Sequence, residues 1–300
     1  MVIGKRKEVD MLDHGSITLS IFNYTLLTVI GLLIVFPLAY VLSNSFSSYE
    51  VVNQGQVLFF PKNFTLDNFI MVFKEESILR GYFNTIIYTV LGTIISMILT
   101  FTAGFVLSIR KFSAGSVLIK IFTLTMFVNG GMIPTYMVVD SLGLTETMWG
   151  FILPGCMSVW NVILVRTYIR SSIPEEMMEA AQIDGCSDFN VFVKIILPLC
   201  KPIIAIMVLF YAVGYWNSYY NAVMYLNNSE ELYPLQMILN NLLVKNDFSG
   251  MVGGGVEEIG LYSNVLKYAV IVVSTAPILC FFPFVQKFFT KGLMAGSIKG

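Results

Sequence analysis

The chain has 300 residues, of which 56% are hydrophobic and only 12% charged, with 19 acidic side chains, 18 basic ones and a single histidine. Soluble domains carry about 25% charged residues, so this composition, with its mean hydropathy of +0.75, excludes a soluble enzyme, a disordered chain and a collagen, and places the protein in a bilayer. The formal net charge of −1 leaves no basic footprint for nucleic acid.

Six apolar runs are long enough to cross the hydrocarbon core: Ser20 to Leu42, Gly81 to Ile109, Ile121 to Val139, Thr147 to Val165, Ile203 to Ser229, and Tyr268 to Lys287, the last ending on its lysine. They predict an all-α integral membrane protein with six transmembrane helices over residues 20–290. A segment 1–19 precedes them and a tail 291–300 follows. The first run comes after Lys5, Arg6 and Lys7, exceeds a secretory signal core and lacks a small-residue cleavage site, so it reads as a retained anchor. With the N-terminus inside, 13 of the 18 basic residues fall on the inner side, among them Arg110, Lys111, Lys120, Arg166, Arg170, Lys194 and Lys201. Lys62, Lys74, Arg80, Lys245 and Lys267 fall outside. This bias puts both termini in the cytoplasm.

Two external loops, about 43–80 and 230–267, are long enough to imply something to meet there. The second contains Pro234, the apolar run Leu235 to Leu243, Gly250 and Gly253 to Gly255, a pattern of a short helix followed by a flexible tip. It is either a variable loop or a surface for docking and substrate probing. Within the second run Gly92, Ser96, Thr100, Gly104 and Ser108 recur every fourth residue, which makes a seam along which another helix can approach closely. Pro37, Pro134, Pro154, Pro277 and Pro283 permit kinks. Cys156, Cys186, Cys200 and Cys280 have neither zinc nor disulfide spacing and read as buried thiols.

The runs carry no carboxylate, arginine or histidine at mid-depth, which argues against an ion-coupled carrier. No HExxH set marks a membrane hydrolase, and no GxxxxGK[ST] loop could cradle ATP, so any energy must come from a partner.

The most informative segment joins the fourth and fifth runs. Ser172 followed by Glu175 has the spacing of a capping box, with Pro174 in the first turn of a short helix. Gly185 is placed to end that helix in the left-handed conformation. A second helix from Ser187 puts Phe189, Phe192, Val193 and Ile196 on one face and meets Pro198 and Pro202 as it enters the fifth run. By itself this pattern fits an amphipathic interfacial stabiliser.

The letters at fixed spacing say more. Glu179-Ala180-Ala181, then Gly185 after three residues, Ile195 after nine more, and Leu197-Pro198, with Asp184 before the glycine, match the EAA loop of bacterial ABC-importer permeases, here about residues 171–202. The segments Ile183 to Cys186 and Ile195 to Pro202, with the tail Gln286 to Gly300, resemble the carbohydrate-uptake, MalG-like group. Asn129 to Tyr136 resembles the LplC and YtcP subgroup, often associated with complex oligosaccharides. The resemblance covers essentially the whole chain, and Cys186 departs from the usual alanine.

This resemblance implies a MetI-like, type I importer permease in a bacterial plasma membrane. Glu179, Ala180, Ala181, Asp184, Gly185, Ile195, Leu197 and Pro198 would form the ATPase-coupling site, and the tail would touch the ATPase dimer interface. The chain would not be an enzyme and would hold no cofactor; ATP and Mg would be bound by two cytoplasmic ATPase subunits. A second homologous permease, an extracellular solute-binding lipoprotein and membrane lipid would complete the set of partners, with an oligosaccharide as substrate.

Sugars are held by aromatic faces and by amides or hydroxyls. The fifth run offers Tyr211, Tyr215, Trp216, Asn217, Tyr219, Tyr220 and Tyr225, and Asn129 in the third can join them. Asn129, Trp216, Asn217, Tyr219 and Tyr220 are the candidate substrate path. The same aromatic residues also suit an interfacial belt, and the resemblance to the maltose permease pair implies that the other permease would hold the sugar while this chain would only line the path. A non-sugar solute, or a membrane sensor or scaffold that kept the fold, are the alternatives.

Overall fold

A computed structural model describes residues 6–245, 262–280 and 283, without the side chains of 6–18 and 245. The tip with Gly250 and Gly253 to Gly255, most of the sixth run beyond Cys280, and the tail 291–300 lie outside the described residues. The described residues form helices joined by turns and loops, with one antiparallel bridge between Ser47 and Phe64. It divides into two compact units, Met1–Lys74 with Phe248–Val273, and Glu75–Asp247 with Ser274–Gly300.

The first unit contains α1 (Arg6–Ser45), α2 (Tyr49–Asn53), α3 (Asp67–Lys74) and the start of a helix, Tyr262–Cys280, that continues into the second. Side chains from Leu19 to Phe36 are largely exposed, as suits an anchor whose solvent is lipid. At the far end of α1 the chain turns into an ordered polar knot. The Asn68 amide donates to the carbonyls of Ser45 and Ser47, both at 3.0 Å. The Ser47 hydroxyl donates to Ser43 O and accepts from the Lys62 N–H. These bonds satisfy backbone groups left over where the helix ends.

The second unit is built on α4 (Glu76–Ser108), 33 unbroken residues and so about 50 Å long at 1.5 Å per residue. The small residues Gly92, Ser96, Thr100, Gly104 and Ser108 are all buried, as the four-residue seam requires. A Cβ on Gly92 would lie 2.6 Å from the Tyr215 ring, and one on Gly104 would lie 2.7 Å from Val165.

The other runs of this unit are not single helices. The third is α5 (Gly115–Phe127) and α6 (Met132–Ser141), bent by 114°. Pro134 has no N–H for the Gly130 carbonyl, and Gly131 takes φ +87°. The Asn129 carboxamide oxygen accepts from Gly131 N–H at 2.8 Å, and the Thr135 hydroxyl donates to Gly131 O. The fourth run is α7 (Met148–Ile152), a 3-10 turn containing Pro154, and α8 (Val159–Ser172), bent by 49°.

The groups freed at this second break find partners on the fifth run. The Tyr215 hydroxyl donates to Ile152 O at 3.1 Å, Asn221 donates to Phe151 O, and Ser158 N–H donates to the Tyr211 hydroxyl. The same hydroxyls meet Ser96 and Thr100 of the α4 seam, at 3.2 and 2.6 Å. Tyr211 and Tyr215, which the sequence offers as sugar platforms, are therefore buried fasteners between three helices. Tyr211→Phe and Tyr215→Phe should each lower the Tm of the solubilised protein. Each strands a buried hydroxyl and a backbone group at a cost of about 1–3 kcal/mol.

After α8 come α9 (Glu175–Ile183), α10 (Asp188–Leu199), α11 (Lys201–Trp216), α12 (Tyr220–Tyr225) and α13 (Leu235–Lys245), followed by α14 (Tyr262–Cys280). The fifth run thus ends its continuous helix at Trp216, short of Ser229, and the sixth starts at Tyr262, ahead of Tyr268. Helix α13 is not a loose loop helix. Leu235, Met237, Ile238, Leu239 and Leu242 are buried, and Leu235 N–H donates to the Thr85 hydroxyl of α4 at 2.8 Å. Of the four thiols, which the sequence reads as buried, only Cys200 is; Cys156 and Cys186 are half-buried and Cys280, the last residue of α14, is exposed.

Candidate functional site

The loop between α8 and α11 folds as a short helix, a sharp turn and a second helix, with two corrections. The capping box does not form: α8 runs through Ser172, and α9 starts at Glu175 after Pro174, without a side-chain cap. Proline disfavours the helical conformation of the residue before it, and Ile173 is accordingly extended at φ −116°, ψ 116°. Ser172 is thereby left on the wrong helix to cap α9. Secondly, Phe189, Phe192, Val193 and Ile196 do not share a face. Phe189 and Val193 are exposed, while Phe192 packs on Phe105 and Ile196 is fully buried.

The cause of the second difference lies in the middle of α10. Residues Phe192–Ile196 form a π turn that ends two residues before Pro198, whose ring crowds the carbonyl four residues back, that of Lys194. Four residues on, Pro202 lacks the N–H that would bond Pro198, and the chain bends by 84° at Cys200 between α10 and α11. The Leu197-Pro198 end of the motif thus sets the angle at which this loop enters the fifth run.

Gly185 has φ +80°. Cys186 N–H donates to Ala181 O at 2.9 Å and Gly185 N–H to Gln182 O at 3.0 Å, the paired bonds of a Schellman turn. Ser187 caps α10 by accepting from Asn190 N–H, and Gln182 donates to Asp188 Oδ1 across the turn.

Burial divides the motif residues into two sets. Ala181 is buried in a cluster with Phe101 and Phe105 of α4, Val165 and Ile169 of α8, and Ile203 and Met207 of α11. Ile195 and Leu197 pack on the same cluster. Ala180, Asp184, Gly185 and Pro198 are exposed, and Glu179 is half-exposed. The two alanines therefore serve opposite sides, one against the bundle and the other facing away. Next to Ala180 on the exposed side are Ile183, 86% exposed, and Met177, with Phe189 beyond the turn at 73%. Sequence reasoning assigned none of these three to the coupling surface; for Met177 and Ile183, apolar letters on a charged surface helix were the available signal.

Electrostatics tie α9 to the end of α4. Glu179 pairs with Lys111 at 2.7 Å and Glu175 with Arg110 at 3.3 Å. The Glu179 carboxylate, by hydrogen bond and by charge, holds Lys111 above the ordinary lysine range. Arg166 and Arg170 of α8 donate through Nε to the Leu107 and Ser108 carbonyls, both at 3.0 Å, and so cap α4.

The candidate substrate residues are spread over several settings. Asn217 donates to Val213 O and accepts from Gln236, and the Tyr219 hydroxyl donates to Asn240 Oδ1, so both meet side chains of α13. Tyr220 is exposed. Trp216 is buried and lies edge-on to Tyr82, with its indole N–H unpartnered. It lines an apolar cavity of about 700 Å³ with Val90, Ile94, Leu209 and Val213. Asn129 caps the break between α5 and α6 through its bond from Gly131 N–H. The described residues contain no group of three or more His, Cys, Asp or Glu side chains arranged for a metal.

Long apolar helices, three of them bent pairs near prolines, define a multi-pass membrane protein. The family described as "binding-protein-dependent transport system inner membrane component" matches residues 115–295. Protein LplC of Bacillus subtilis is 39% identical over 93% of this chain and 94% of its own length. The polygalacturonan/rhamnogalacturonan transport system permease YtcP of the same organism is also 39% identical, over 92% and 96%. A solved chain of a bacterial ABC transporter involved in the import of the acidic polysaccharide alginate superposes with a TM-score of 0.85. It is 31% identical, covering 92% of this chain and 98% of that one. The chain belongs to this family of ABC-importer permeases. Its members are not themselves enzymes and work with an ATPase, a solute-binding protein and a second permease.

Proposed function

We propose that this chain is one of two permease subunits of a bacterial importer for oligosaccharides or polysaccharide fragments. Residues 20–290 form its permease domain, and both termini and α9 are cytoplasmic. The observation that carries the coupling role is the division of α9. Ala181 is locked into a core shared by α4, α8 and α11, whereas Ala180, Ile183 and Asp184 are left open for another protein. An ATPase subunit covering that face moves α9 as a rigid body, and the shared core passes the movement to three helices at once.

Two such ATPase subunits bind ATP and Mg, and their closure alternates the paired permeases between inward-open and outward-open states. An external binding lipoprotein delivers the substrate. The sugar assignment is supported by the relatives named for polygalacturonan and rhamnogalacturonan and for alginate. The amide and hydroxyl cluster of Asn217, Tyr219, Gln236 and Asn240 offers matching chemistry. Trp216, Tyr220 and Asn129 complete the proposed path.

The test is ATP hydrolysis by the co-purified complex in lipid, with the binding lipoprotein and a panel of neutral and uronate-containing oligosaccharides. Polysaccharide-derived fragments should raise the rate, and Asn217→Ala and Trp216→Ala should shift the concentration needed. An active ATPase that no glycan stimulates would overturn the sugar assignment. Failure to recover any ATPase would overturn the importer assignment.

A further inference from the structure

We infer that α4 is the strut that carries movement between α9 on the cytoplasmic side and α13 on the external side. Arg110 and Lys111 are its positioning residues at one end, and Asn84, Thr85 and Tyr88 at the other. The inference rests on the coupling role of α9 proposed above.

Three observations carry it. At the cytoplasmic end, the residues just after α4 reach two carboxylates one turn apart on α9, Arg110 to Glu175 and Lys111 to Glu179, while Arg166 and Arg170 hold the last α4 carbonyls. At the external end, Asn84 donates to the Glu231 and Tyr233 carbonyls at 2.8 and 3.1 Å. Tyr88 donates to Leu232 O at 2.9 Å, Thr85 accepts from Leu235 N–H, and Gly81 lets Ile238 sit directly against the helix. Between the two ends, α4 is one continuous helix. By contrast, α11 is joined to α10 through a bend of 84°, and α8 to α7 through one of 49°.

A bent helix dissipates an axial displacement at its break, where hydrogen bonds are missing; an unbroken one moves as a body. Covalent linkage makes α8 and α11 the obvious transmitters, but the side-chain ties make α4 the stiffer route. The ion pairs are solvent-exposed and individually weak, so it is the two-point attachment to one face of α9 that fixes its position against α4.

The test uses the full complex in lipid with Val244→Cys, an exposed position on α13. Maleimide labelling of the introduced thiol is measured with and without ATP and vanadate, and corrected against the same complex without that substitution. Vanadate trapping should change the labelling rate by about fivefold, the lower end of site-to-site coupling. Arg110→Glu should reduce that change to under about twofold. The reciprocal swap, Arg110→Glu with Glu175→Arg, should restore it, which lost packing alone would not allow. Asn84→Leu, at the opposite end, should reproduce the loss. An undiminished change in Arg110→Glu and Asn84→Leu, or a swap that fails to restore it, would overturn the strut. Failure of the coupling role itself shows separately, as a parental complex that retains no ATPase or does not trap.

Discussion

Replacing Gly185 by proline is expected to abolish ATP-driven uptake, with a loss of more than about a hundredfold, while the protein still inserts and folds. Gly185 sits at φ +80°, and proline cannot leave the region near −65°. Proline also removes the N–H that bonds Gln182 O, so the Schellman turn loses one of its two bonds and α10 leaves α9 in a different direction. Each of these changes costs a few kcal/mol, and both act on the turn that orients the proposed ATPase contact. Gly185→Ala makes a graded comparison. A Cβ there meets no atom within 4 Å, so only the left-handed backbone opposes it, at about 1 kcal/mol. Proteoliposome uptake, measured beside ATPase recovery, checks the series; full uptake by the proline variant would remove Gly185 from the coupling site.

The second large effect falls on the seam of α4. Gly104→Leu should cut the yield of monodisperse protein by about tenfold, because overpacking of a tight helix contact costs roughly 1–3 kcal/mol even for small additions. The Cβ alone would stand 2.7 Å from a Val165 methyl and 3.3 Å from the Arg166 backbone nitrogen. The methyl can shift but the backbone cannot, so Gly104→Ala should be milder and the leucine severe. Separation of α4 from α8 would also pull Arg166 and Arg170 off the carbonyls they cap. Gly31→Leu is the control, because a Cβ there meets nothing within 4 Å. Size-exclusion profiles of the three variants settle the matter: equal yields would mean that the seam is not a close contact.

The two sites behave differently because the physical demands differ. At Gly185 space is free and the backbone conformation is the constraint. At Gly104 the backbone is ordinary helix and space is the constraint.

Much of this was legible in the residue order. Membrane insertion follows from the long uncharged runs, since the cost of a charge in hydrocarbon is a property of the side chain itself. The α9 turn follows from Gly185 alone, because only the residue without a Cβ adopts φ +80° freely. The buried seam follows from the four-residue recurrence of small side chains, a periodicity set by helix geometry. The motif spacing from Glu179 to Pro198 is likewise a matter of letters and intervals.

Tertiary structure decided the rest. A hydropathy run measures composition and is blind to hydrogen-bond continuity: the prolines permitted kinks, but that Pro37 stays inside one helix while the chain bends by 114°, 49° and 84° elsewhere was not legible. Tyr211 and Tyr215 look like sugar platforms until the freed groups of the α7–α8 break are placed opposite them, more than 50 residues away in the chain. Whether Ala180 or Ala181 faces the bundle depends on how α9 is seated against α4, α8 and α11. Its start after Pro174 follows from the extended Ile173 and not from the capping letters. The pairing of Lys111 with Glu179, and the seating of α13 on α4, join segments that no local rule connects. Local conformational cost and solvent preference are written residue by residue; which freed donor meets which acceptor is known only once the helices are packed.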